Sequence, residues 1–93
     1  MDQKVKIRNL TLEAFSIYAG LNDNPIVAGA ILRQENFALK PLGLDSLSLM
    51  EVSMHLEDGL GIELDVDELQ GCDTLNGLVD HLAVAENRQR QMV

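Results

Sequence analysis

The sequence predicts an all-α fold: a small irregular four-helix bundle with three main helices, a short third helix, and a long loop between helices one and two. Apolar residues recur at three- and four-residue spacing, and no run alternates cleanly between apolar and polar over strand length. β-Branched residues are sparse, which also argues against strands. Ninety-three residues make one domain, 1–93, with a modest core.

Helix one is predicted over about Asn9 to Ala19. Leu10, Ala14, Ile17 or Tyr18, and Leu21 fall at helical spacing, with Phe15 and Ala19 beside them, and Gly20 supplies a stop. The basic residues ahead of it leave room for a start nearer Asp2, although residues 1–8 are expected to fray. Asn22-Asp23-Asn24-Pro25 breaks the chain. Ile26 to Gln34 contains good helix formers and has room for a short helical turn. Phe37, Leu39, Leu42 and Leu44 read as anchors that pin a long loop to the core, and Pro41 and Gly43 forbid a regular helix there. So long a connection in so small a domain is often functional.

Helix two is predicted from Ser46 to about Asp58, ended by Gly59 and Gly61. At about 100° per residue it carries two apolar stripes. Leu49, Val52, Leu56 and Leu60 form the natural core face. Leu47, Met50 and Met54 form the second, with Glu51, Glu57 and Asp58 nearby. On pattern alone the second stripe is either more core or an exposed docking strip with an acidic rim. Helix three is predicted over about Val66 to Gln70, where Asp65 and Glu68 have capping-box spacing and Gly71 closes the turn. The last helix starts after Thr74 as N-cap, with Leu75, Leu78, Val79, Leu82 and Val84 or Ala85 on its apolar face. Gly77 weakens it or allows close packing, and the tail from Asn87, with 88–93, is expected to fray.

Charge narrows the function. The formal net charge is −8, and no lysine or arginine occurs between Pro41 and Asn87. Asp45, Glu51, Glu57, Asp58, Glu63, Asp65, Asp67, Glu68, Asp73, Asp80 and Glu86 all lie in that stretch, which repels nucleic acid and attracts basic protein surfaces. With Phe15, Tyr18 and Phe37 as the only aromatic residues, no base-stacking platform is expected. No apolar run approaches bilayer length, and the N-terminus lacks a secretory signal. A cytoplasmic monomer is expected. Cys72 stands alone, so there is no internal disulfide framework, and a small half-buried side chain is its ordinary reading.

Catalysis finds little support. His55 lies on the opposite side of the second helix from Ser46, and His81 is on another helix. Neither forms a triad spacing with the serine. There is no glycine-rich phosphate cradle and no metal-ligand pattern. Ser46 therefore reads as a substrate of chemistry. If Asp45 caps the helix, the Ser46 hydroxyl sits in the first turn, at the positive end of the helix dipole, where an attached phosphodiester is well placed. The competing arrangement is that Ser48 with Glu51 forms the capping box, which leaves Ser46 in the loop.

Leu42-Gly43-Leu44-Asp45-Ser46-Leu47 resembles the attachment motif of acyl carrier proteins. The likeness continues through Glu57-Asp58-Gly59-Leu60-Gly61-Ile62-Glu63-Leu64, Asp67-Glu68-Leu69 and Thr74-Leu75 to Leu82. It implies that Ser46 carries 4′-phosphopantetheine, transferred from coenzyme A by a phosphopantetheinyl transferase that reads Asp45 and Leu47. It further implies that the chain is not an enzyme but holds an acyl intermediate as a thioester on the arm. Leu47, Met50, Glu51, Met54, Glu57 and Asp58 would then meet basic patches on acyl-loading, ketosynthase or acyltransferase-type enzymes. Ser48 stands where many fatty-acid carriers have an acidic residue, the loop before the motif is longer than usual, and His55 and Gly61 are unusual. These departures point to a specialised acyl or polyketide system, and less to central fatty acid biosynthesis. Leu44, where peptidyl carriers often have glycine, favours acyl over aminoacyl cargo. An unmodified acidic adaptor for a basic partner and a small serine hydrolase are the rival functions.

Overall fold

The computed structural model describes residues 2–20 and 25–91, apart from the side chains of Ile26 and Pro41. Among the described residues five α-helices follow one another: α1 (Gln3–Tyr18), α2 (Pro25–Leu32), α3 (Ser46–Leu60), α4 (Val66–Gln70) and α5 (Leu75–Gln91), with a 3-10 turn at Lys40–Leu42. No strand occurs among the described residues; one isolated bridge pairs Ala38 with Thr74. The all-helical bundle is as predicted. The long loop is interrupted, however, because the expected short helical turn is the eight-residue helix α2.

Helix α1 begins at Gln3, well ahead of Asn9, and the reason is local. The Asp2 carboxylate accepts the Lys4 N–H at 2.8 Å, which satisfies one orphan donor of the first turn. The end is as predicted: the Ala19 N–H closes on the Phe15 carbonyl at 2.9 Å, and Gly20 takes φ 61°, a conformation that suits glycine. The buried face differs from the expected stripe. It consists of Ile7, Thr11, Ala14 and Phe15, while Ile17 is 58% exposed and Leu10 and Tyr18 are half-buried. Thr11 enters the core because its hydroxyl donates to the Ile7 carbonyl one turn back at 2.7 Å. Leu21 and the Asn22-Asp23-Asn24 break lie outside the described residues.

Helix α3 runs two residues beyond the predicted Asp58. Gly59 is inside it, and Gly61, at φ 67°, ends it with its N–H on the Glu57 carbonyl. Leu10 of α1 packs against Gly59: a Cβ there would stand 2.5 Å from a Leu10 methyl. Leu49, Val52, Leu56 and Leu60 are buried as expected, joined by Ser53, whose hydroxyl donates to the Met50 carbonyl at 2.8 Å.

Helix α4 is bounded as predicted, but its capping box is half made. Asp65 accepts the Asp67 N–H, whereas the Glu68 carboxylate reaches His81 on α5 at 3.2 Å. Thr74 caps α5 through the Gly77 N–H at 3.1 Å. On the α5 face Ala83 is buried, Ala85 is half-buried and Val84 is exposed.

Helix α1 is helical from Gln3 and α5 up to Gln91. The two ends hold each other. Glu86, which charge alone placed on the acidic surface, is 3% exposed; it accepts from Gln3 at 2.8 Å and from Arg90 at 3.2 Å. Lys4 pairs with Asp80 at 3.0 Å, and the Gln89 amide bonds both the N–H and the carbonyl of Glu63.

Helix α1 packs on α3 and α5, and α3 packs on α4. One core results, with Phe15, Leu56, Leu75 and Leu82 at its centre.

Candidate functional site

The segment that leads to α3 is fastened from behind. The Leu39 N–H donates to the Asp73 carbonyl at 2.8 Å, the Leu75 N–H to the Phe37 carbonyl at 2.9 Å, and the Asn76 N–H to the Asn36 side chain at 2.8 Å. Leu39 is buried, and Phe37, Leu42 and Leu44 pack partly buried against the core, so the four predicted anchors do pin the loop. Asn36 was not expected. Its side chain accepts from the first turn of α5, forty residues later at Asn76, and local spacing carries no trace of such a bond. After the 3-10 turn Gly43 takes φ 62°, with its N–H on the Lys40 carbonyl. That left-handed residue turns the chain into α3 and leaves open space around it.

The capping question resolves in favour of Asp45. Its carboxylate accepts the Ser48 N–H at 2.7 Å, and Ser46 is the first helical residue. Ser48 is inside the helix, so the Ser48–Glu51 capping box does not form. The same bond, with the Ser48 hydroxyl adding to it, holds the exposed Asp45 carboxyl below its ordinary pKa. Ser46 is exposed, and its hydroxyl takes no hydrogen bond among the described residues.

The second stripe of this helix faces outward. Leu47, Met50 and Met54 are 64, 50 and 58% exposed, which removes the reading that they complete the core. Along this strip Asp58 is exposed, Glu51 is half-buried, and Glu57 is half-buried with an oxygen accepting the Leu64 N–H at 3.3 Å. Glu57 thus also holds the turn that follows α3.

The histidines have other partners. His55 Nε2 meets Glu13 at 3.1 Å, and its ring stands edge-on to Tyr18 at 5.8 Å. His81 meets Glu68. Cys72 is half-buried, and burial together with Asp73 and Glu68 pushes its thiol pKa up, away from the reactive thiolate. Among the described residues no group of side chains could hold a metal, and no helix is long and apolar enough to cross a membrane.

A cavity of about 540 Å³ opens beside the start of α3. Gly43 and Leu44, just ahead of Asp45, form part of its wall, and exposed Lys40, Gln70 and Asp73 lie at its edge. Inside, Leu39, Leu49, Val52, Leu69, Leu78 and Phe15 line it. Periodicity places Leu49, Val52 and Leu78 on core faces and Phe15 beside one, and Leu39 reads as a loop anchor, but none of this shows a cavity.

The model of the phosphopantetheine attachment site family matches residues 27–82. Among curated proteins, the chain is similar to an acyl carrier protein homolog of Ureaplasma parvum serovar 3, at 40% identity over 45 residues. That match takes in 48% of this chain and 58% of the relative, so the chain spans little more than half of the relative's length. No solved structure matches. The match to the attachment-site model takes in more than half of the chain and contains the whole of α3 and the loop that feeds it; the chain belongs to the phosphopantetheine-attachment family, that of the acyl carrier proteins, and its cofactor is covalently bound 4′-phosphopantetheine.

Proposed function

We propose that Ser46 is the attachment residue and that the chain carries acyl groups between the enzymes of a dedicated acyl or polyketide pathway. The observation that carries this is the free, exposed Ser46 hydroxyl at the first position of α3, next to a left-handed glycine turn that leaves space for a visiting transferase. The residues present fit the group. A phosphodiester on Ser46 lies at the positive end of a fifteen-residue helix. The Asp45 carboxylate opposes it by charge, but is already engaged with Ser48. When bound, the arm supplies a thiol that holds the acyl group as a thioester.

The chain's own residues supply position and recognition. Leu47, Met50 and Met54 offer an apolar strip, and Glu51 and Asp58 an acidic margin, which suits enzymes with basic, partly apolar docking patches. The apolar interior of the cavity beside the helix favours acyl over aminoacyl cargo.

Intact mass spectrometry after incubation with coenzyme A and a broad-specificity phosphopantetheinyl transferase tests the assignment. The wild type should gain one phosphopantetheinyl group and Ser46→Ala none. No gain with a transferase active on a control carrier, or an equal gain by Ser46→Ala, would remove Ser46 from the role.

A further inference from the structure

We infer that Phe15 is the end wall of the cavity and sets the longest acyl chain this carrier can enclose. The inference rests on Ser46 as the attachment residue. The lining runs from exposed residues to fully buried ones. Lys40, Gly43, Gln70 and Asp73 are exposed, and Leu44 lies closest in sequence to Ser46. Leu39 and Leu49 are 7 and 8% exposed, Leu69 and Leu78 are 3 and 2%, and Val52 and Phe15 are 1%. An acyl chain entering from the side of Ser46 passes the leucines and meets the phenyl ring.

Phe15 differs from the rest of the lining in three ways. It is the largest fully buried side chain of the protein. It is the lining residue that α1 contributes, the others coming from the loop, α3, the α4–α5 segment and α5. Its carbonyl also takes the closing hydrogen bond of α1, from the Ala19 N–H. A close-packed interior does not yield to an extra methylene without strain, so the ring acts as a stop.

The test uses the holo-protein, with the arm first verified on Ser46 by intact mass, loaded with straight-chain acyl groups from butanoyl to hexadecanoyl. Thioester lifetime under mild alkali and the thermal midpoint are read at each length. Each methylene that enters an apolar interior is worth about fourfold in partition, so lifetime should climb with length and then break where the chain meets Phe15. Phe15→Leu, which keeps the site apolar, and Phe15→Ala should move that break to longer chains in that order. Val79→Ala, a buried change that does not line the cavity, should leave it in place. Failure to gain the arm at Ser46 defeats the attachment assignment instead of this inference. An armed wild type whose lifetime is independent of chain length overturns the inference. So does a break that Phe15→Leu leaves where it was, or one that Val79→Ala moves equally.

Discussion

Asp45 reaches over Ser46 and Leu47 to hold the Ser48 N–H at 2.7 Å. The residue that caps the helix is therefore also the one beside the proposed attachment serine, and its two duties are separable. Asparagine caps about as well as aspartate but has no charge. Asp45→Asn should keep the thermal midpoint near that of the wild type and slow arm addition; Asp45→Ala should lower both. Thermal scans with timed mass spectra check this.

The same contact has a sign with pH. The Asp45 carboxyl is held below its ordinary value of 3.8 by the Ser48 N–H, so its contribution to stability is present above that value. It is lost as pH falls from 3.8 through the lower folded value. The stability advantage of wild type over Asp45→Ala should hold at neutral pH and shrink below about pH 4. Urea titrations at several pH values measure it.

Gly59 and Leu10 should be coupled. Alanine inside a helix gains about 1 kcal/mol over glycine, yet its Cβ would stand 2.5 Å from a Leu10 methyl. Gly59→Ala should therefore yield none of that gain in the wild type and recover it in a Leu10→Ala background. A double-mutant cycle should give a coupling of about 1 kcal/mol.

Leu56 is fully buried. Leu56→Ala should cost about 2–5 kcal/mol, read as a lower urea midpoint with helix content retained under native conditions.

The acidic residues beside the docking strip divide by what else they hold. Glu51→Lys and Asp58→Lys should slow acyl transfer to partner enzymes at low salt and leave stability unchanged, because such charges act mainly on encounter. Glu57→Lys should also destabilise, since it gives up the bond to the Leu64 N–H. Transfer rates against salt, with a thermal midpoint for each variant, separate the three.

Features written in neighbouring residues were legible. The Asp65 and Thr74 caps, the Gly61 stop and the two stripes of α3 all follow from side chains within one or two turns, whereas spacing left Asp45 and Ser48 as rival caps for α3. Whether Leu47, Met50 and Met54 face water was left open by periodicity, because it depends on how many neighbours surround the helix. What stayed hidden was long-range. Ile7 and Thr11 displace Ile17 from the α1 core face only because α3 and α5 lie on that side. Gly59 read as a stop until Leu10 was found against it. Glu86 counted as surface charge until Gln3 and Arg90 enclosed it. At the site, the motif was visible in the chain, whereas the cavity draws its lining from five separate parts of it.

The three hydrogen bonds that fasten Asn36, Phe37 and Leu39 to Asp73, Leu75 and Asn76 have a bearing on timing. Contacts so distant in sequence close late, after the entropy of a long loop has been met. On a growing chain these three bonds have no partners until the first turn of α5 has emerged. A transferase that reads this loop in its native shape would therefore arm finished molecules and pass over nascent ones.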